Sequence, residues 1–259
     1  MFRYVFPPKM EQTAKDKKSN IILALDFPSE KPANHSKLFS RAEHTLEAVH
    51  LYICAVKFNR HLILPLGLFN GVQKLIEKVH DTGLMAIMDC KVNDIGSTNQ
   101  TIAEYYYTAG FDALIANPFV GWEEGLKPVF DVARRLQRGV ILLVYMSHKG
   151  AWEGYGQTIC NAETGEKTLQ YVSFAKKALK WNADGVVVGA TYPEKIRQVH
   201  EILGGKIPTY SPGIGAQGGK IPSALKAGAS YLIVGRAITL SENPAETAKN
   251  IRDLANKCK

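Results

Sequence analysis

Two lysines and three aspartates stand out in this chain by where they fall. Asp89 and Lys91 lie two residues apart in Met88-Asp89-Cys90-Lys91-Val92-Asn93-Asp94-Ile95, and Asp94 follows three residues later. In an extended strand, residues two apart share a face. Asp89 and Lys91 are therefore expected to project together with Cys90 opposite, and Asp94 to lie beyond the strand in a loop loosened by Gly96. A lysine held between carboxylates keeps its proton, because opposite charges favour the ionised form. Such a group is a fixed proton donor and a cation placed for developing negative charge. Asp26 in LALDF and Lys57 in AVKFN interrupt two earlier apolar runs in the same way. A surface salt-bridge cluster would use these residue types, but charges at the ends of three successive apolar runs point to a shared site.

A second constellation suits an anion. Ser211-Pro212-Gly213-Ile214-Gly215-Ala216-Gln217-Gly218-Gly219 is rich in glycines. Glycines let backbone N–H groups approach a phosphate closely, and the helix expected next points its positive end at it. Gln217 can add an amide contact. Gly235-Arg236, at the end of the next apolar run, brings a bidentate cation to the same corner. A glycine-rich loop alone is weak evidence; its pairing with Gly235-Arg236 is stronger.

These residues need a scaffold that gathers strand ends. From residue 20 onward, short β-rich apolar runs alternate with longer segments of helical period, which marks a parallel sheet with crossover helices. Strands are expected at 20–27, 52–59, 84–92, 113–119, 139–146, 184–190, 209–214 and 230–236. Helices are expected at 36–49, 66–80, 98–109, 123–136, 168–181, 193–203, 222–227 and 245–257. Eight strand–helix units close a (β/α)8 TIM barrel, an α/β fold whose active sites lie at the carboxyl ends of the strands. Asp26, Lys57, Asp89, Lys91, Asn117 and Ser147 each stand where a strand run stops. The chain thus divides into a flexible N-terminal extension, 1–19, and one catalytic barrel domain, 20–259.

Bulk properties narrow the class further. The chain has 259 residues, 46% of them apolar, enough for a full core. No apolar run reaches the length of a membrane span, and the first residues, with Pro7 and Pro8 and early charges, lack the pattern of a secretory signal. The net charge of +8 is spread out, without the basic runs or aromatic–basic interleaving that mark nucleic-acid binding. Cys54, Cys90, Cys160 and Cys258 form no CxxC pair, as expected of reduced cytoplasmic thiols. The seven histidines show no metal-ligand spacing, and His148 reads as a solvent-facing loop residue. Met85, Met88 and the Tyr105–Tyr107 run read as packing or interface.

The ordered set LALDF, AVKF, Asp89-x-Lys91-x-x-Asp94-Ile95 with Ser97-Thr98-Asn99, YMSH, SPGIGAQGG and IVGRAI resembles the orotidine 5′-monophosphate decarboxylase family in its short microbial and archaeal form. The likeness runs from about residue 20 to 244. It implies conversion of orotidine 5′-monophosphate to uridine 5′-monophosphate and carbon dioxide in pyrimidine biosynthesis, without metal or organic cofactor, by a cytoplasmic homodimer with shared active sites. By the same resemblance, Asp26 binds the ribose and Lys57 links its hydroxyls to the charged network. Asp89 sits beside the substrate carboxylate, and Lys91 stabilises the C6 carbanion and protonates it. Asp94, Ile95 and Thr98 complete the partner's site. Ser147 reads the pyrimidine, and Pro212, Gln217, Gly235 and Arg236 hold the phosphate side.

Two features depart from the archaeal pattern. Lys149 stands where proline is frequent, and the segment through Trp152, Tyr155 and Cys160 is longer than usual. Two other readings share some of these motifs. Magnesium-dependent sugar-phosphate decarboxylases and hexulose-phosphate synthases carry the Asp-x-Lys-x-x-Asp motif, but place a carboxylate ligand at the second strand end, where this chain has Lys57, a cation that repels magnesium. A non-catalytic nucleotide-binding barrel would keep the glycine loop and lose the Lys–Asp array; here both are present.

Overall fold

The structure is a computed structural model that describes residues 6–28 and 34–258. Eight short strands build it: β1 (Ile21–Ala24), β2 (Ala55–Asn59), β3 (Met85–Val92), β4 (Ala113–Ala116), β5 (Gly139–Tyr145), β6 (Gly185–Val188), β7 (Thr209–Pro212) and β8 (Tyr231–Val234). All pair in parallel with their sequence neighbours, and β8 closes on β1, with Ile21 opposite Leu232. The strands are rich in Val, Ile and Leu because both faces are covered. One face packs inward through Ile22, Ile87, Ile115, Ile141, Leu143 and Ile233. The other packs against the surrounding helices through residues such as Leu23, Val56, Met88 and Val186. The expected (β/α)8 barrel is the observed fold.

Several connections differ from expectation. The helix expected over 66–80 begins earlier and breaks: Arg60–Leu66 is followed by a wide turn, Gly67–Val72, and then Gln73–Asp81. Pro65 near the first helix's end and Gly67 in the left-handed region (φ +71°) account for the break. After β5 the chain forms a short helix, Ala151–Tyr155, and an antiparallel hairpin of Thr158–Cys160 with Lys167–Leu169, neither of which the apolar periodicity foretold. Among the described residues no helix is long and apolar enough to cross a membrane.

The expectation of a flexible extension over 1–19 is corrected for residues 6–19. Phe6–Asp16 is a helix whose Phe6 and Met10 are each 1% exposed and belong to the inner barrel cluster. They stop the amino end of the barrel. Gly139, the first residue of β5, makes room for this, since a Cβ there would lie 2.3 Å from the Phe6 ring. Lys17 Nζ donates to the Thr82 carbonyl and Ser19 Oγ to that of Tyr52, fixing the helix to the barrel rim. Residues 1–5 lie outside the described part.

Candidate active site

The inward face of each strand carries the site at its carboxyl end. Following the two-residue pleat, the apolar residues Ala24, Ile115, Leu143, Val187 and Ile233 form a floor. Above this floor the first three strands present polar and charged groups: Asp26 after β1, Lys57 and Asn59 on β2, and Asp89 and Lys91 on β3. They line a cavity of about 270 Å³ with Ser147, Pro212, Gln217, Gly235 and Arg236 on its walls and mouth. Nine of the twelve residues singled out from sequence thus meet in one cavity.

Its centre is a lysine–aspartate–lysine array. Asp89 Oδ2 accepts from Lys57 Nζ at 2.9 Å, and Asp89 Oδ1 from Lys91 Nζ at 2.5 Å. Lys57 is 4% exposed and Asp89 8%. Burial pushes the Asp89 carboxyl up, but the Lys57 and Lys91 ammoniums outweigh it and hold the group at about 2. Burial likewise works to lower Lys57, yet the Asp89 and Asp26 carboxylates prevail and its net shift is upward. Both groups therefore stay charged at neutral pH although they are buried. Lys91 has φ +49° and sits where the β3–β4 register shifts between Met88 and Val92. A non-glycine residue in that region is strained, and here the strain accompanies an ammonium at the cavity wall. Cys90 faces outward into the helix layer, its Sγ directed at the Ile115 carbonyl, and burial pushes its thiol up to about 12.

The glycine loop and Arg236 form another wall of the same cavity. Gly213 has φ +99°, and a Cβ on it would meet Gln217 Oε1 at 2.8 Å and Ser147 Cβ at 3.0 Å, so the two walls converge over this glycine. Arg236 begins the turn Arg236–Thr239, is exposed, and has no ion-pair partner among the described residues. Thr239 Oγ1 ties that turn to the Asp26 carbonyl at 2.8 Å. The helix after the glycine loop, Ile221–Lys226, is only 6 residues long.

Asp94, Ile95 and Thr98 do not line this cavity. Asp94 lies on the far side of Lys91, in a neighbouring depression with Arg60, Tyr105 and Tyr106, and Ile95 is 64% exposed. The sequence reading missed Asn59 and Met146 as lining residues. Asn59 was available from the pleat, being two residues beyond Lys57. His148, expected to adjoin the site as a solvent-facing loop residue, is exposed and lines the cavity.

A parallel eight-stranded barrel with a Lys–Asp–Lys array at the carboxyl ends of its strands defines the class as a barrel enzyme. The chain belongs to the orotidine 5′-phosphate decarboxylase / HUMPS family, whose pattern matches residues 19–251. The orotidine 5′-phosphate decarboxylase of Pyrococcus abyssi is 37% identical over 234 residues, 90% of this chain and 97% of that one. A crystal structure of orotidine 5′-monophosphate decarboxylase from Methanocaldococcus jannaschii, complexed with the inhibitor BMP, has 33% identity and a TM-score of 0.76, and covers 92% of this chain and 99% of the other. The Leishmania donovani OMP decarboxylase, 22% identical with a TM-score of 0.83, shares the fold over 98% of both chains.

Proposed function

We propose that this chain decarboxylates orotidine 5′-monophosphate to uridine 5′-monophosphate in pyrimidine biosynthesis, without metal or organic cofactor. The observation that carries the reading is the Asp89 carboxylate held between the Lys57 and Lys91 ammoniums. When the bond from C6 to its carboxylate breaks, carbon dioxide leaves and the electron pair stays on C6, where no π system takes it up. A preorganised ammonium is the group that stabilises such charge without reorganisation. Lys91 fills that role, then gives its proton to C6 and regains one from water. Asp26 and Lys57 hold the ribose, Ser147 the pyrimidine, and Pro212, Gln217, Gly235 and Arg236 the phosphate side. Phosphate binding is remote from C6, and its binding energy serves the transition state.

The family description also takes in HUMPS members. Against a metal-dependent reading, both oxygens of Asp89 are engaged by ammoniums, which compete with and repel a divalent cation. The proposal includes a homodimer in which Asp94, Ile95 and Thr98 complete the partner's site, and a cytoplasmic location, which the four free cysteines favour.

The test is an absorbance assay of orotidine 5′-monophosphate with a chelator present. Turnover should persist, and Lys91→Ala should lower kcat by about 10⁴-fold or more while nucleotide binding remains. Loss of wild-type turnover on chelation, or near-normal turnover in Lys91→Ala, would overturn the reading.

A further inference from the structure

Behind the wall that carries Ser147 runs the segment Gly189-Ala190-Thr191-Tyr192, just past β6, none of which lines the cavity. It is bonded to the end of β5 and the loop after it at three carbonyls. Gly189 N–H donates to Tyr145 at 2.9 Å, Thr191 Oγ1 to Ser147 at 2.9 Å, and the Tyr192 hydroxyl to His148 at 3.0 Å. The Tyr192 ring also packs edge-on against Tyr145, with centroids 5.1 Å apart. The fit is close, since a Cβ on Gly189 would lie 2.6 Å from Ser147 Cα. The same segment meets the glycine loop, because Ala190 N–H donates to the Pro212 carbonyl at 2.7 Å and a Cβ on Gly219 would be 3.0 Å from Ala190 Cβ.

We propose that Tyr192 is a positioning residue: its hydroxyl, aided by Thr191, holds the β5 loop so that Ser147 faces the cavity before substrate arrives. The proposal rests on the decarboxylase reading, in which Ser147 contacts the pyrimidine. The loop after β5 needs such anchoring here, because Ser147 and His148 lie beyond Tyr145, the last residue of β5 paired in the sheet, and so outside its hydrogen-bond ladder. A loop held in its binding-competent form lowers apparent Kd by the fraction of molecules it keeps competent. Tyr192 therefore governs KM more than kcat.

The experiment is a double-mutant cycle in the full chain. One net hydrogen bond corresponds to about a 3- to 10-fold change. Tyr192→Phe, which keeps the ring and removes the hydroxyl, should raise KM for orotidine 5′-monophosphate by that factor with kcat within about twofold. In a Ser147→Ala background the same substitution should add nothing further. Tyr171→Phe is the control: it removes a hydroxyl from the same aromatic cluster, one bonded to Gln198 and Lys195 and not to the loop, and should leave KM unchanged. An unaltered KM in Tyr192→Phe, or an undiminished effect on top of Ser147→Ala, overturns the positioning role, as does an equal rise in the control. Absence of turnover in the wild type is a separate outcome: it defeats the decarboxylase reading, and this inference with it.

Discussion

Asp89 illustrates how a buried charge is made tolerable. It has two oxygens and two ammoniums, one on each, so neither lone charge faces the apolar floor. Removing one member of such a set costs about 3–5 kcal/mol, because the partners are left buried and uncompensated. Asp89→Asn is therefore expected to lower unfolding free energy by about that amount and to reduce turnover sharply. The pH dependence has a definite sign. Asp89 ionises at about 2 in the fold and near 4 in the unfolded chain. Its contribution is complete above about pH 4 and is lost as pH falls through 2. Urea midpoints of wild type and Asp89→Asn should keep a constant gap from pH 7 to 5 and converge only below about 4. A gap that closes between pH 7 and 5 would show that another group supplies the difference. At this scale the sequence was readable because the pleat alternates: Asp89 and Lys91 inward, Cys90 outward. What it did not reveal is that Lys91 reaches its place through a left-handed residue in a register shift, a feature set by how β3 meets β4.

Among the elements, all eight strands were legible, since each is a short apolar run bounded by helical segments. The N-terminal helix was not. FPPKMEQTAKD offers only Phe6, Met10 and Ala14 on one narrow stripe among polar residues, and its two prolines suggest a broken coil, although proline is tolerated in a helix's first turn. The stripe has meaning only once a barrel exists for it to stop. Phe6→Ala should cost about 3–5 kcal/mol, the usual range for emptying a buried phenylalanine site. Gly139→Ala should be destabilising in the wild type, where the new methyl meets the Phe6 ring, and much less so in Phe6→Ala. Thermal melts of the four proteins would settle it; additive effects would mean that the two residues do not touch. The same rim shows a second device that the sequence hides. Asp112, before β4, accepts from the Ala86 N–H, His80 and Arg138, and Asp184, before β6, from the Val140 N–H. These carboxylates tie strand starts together at the end away from the chemistry, where polar residues serve stability.

At the scale of the whole molecule, one chain leaves part of its own motif unused. Asp94, Ile95 and Thr98 follow Lys91 by only a few residues, yet none of them lines the cavity shared by Lys57, Asp89 and Lys91; Asp94 meets Lys91 only in the neighbouring depression. Ile95 is itself exposed, and near it lie exposed Tyr105 and Phe69, in edge-to-face contact at 6.2 Å. Apolar side chains exposed next to a motif are what a subunit interface would cover, and an isologous interface would carry each chain's Asp94 toward the other's Lys91. The proposed shared site makes a quantitative prediction. Lys91→Ala and Asp94→Asn chains should each be nearly inactive alone. Mixed and refolded together, half of the dimers formed at random are hybrids. In each hybrid one site joins an intact Lys91 to an intact Asp94, while the other is doubly damaged. Activity should therefore recover to about a quarter of the wild-type value per chain. If hybrid dimers form, as checked by differently tagged chains, and the mixture stays inactive, Asp94 acts within its own chain or not at all.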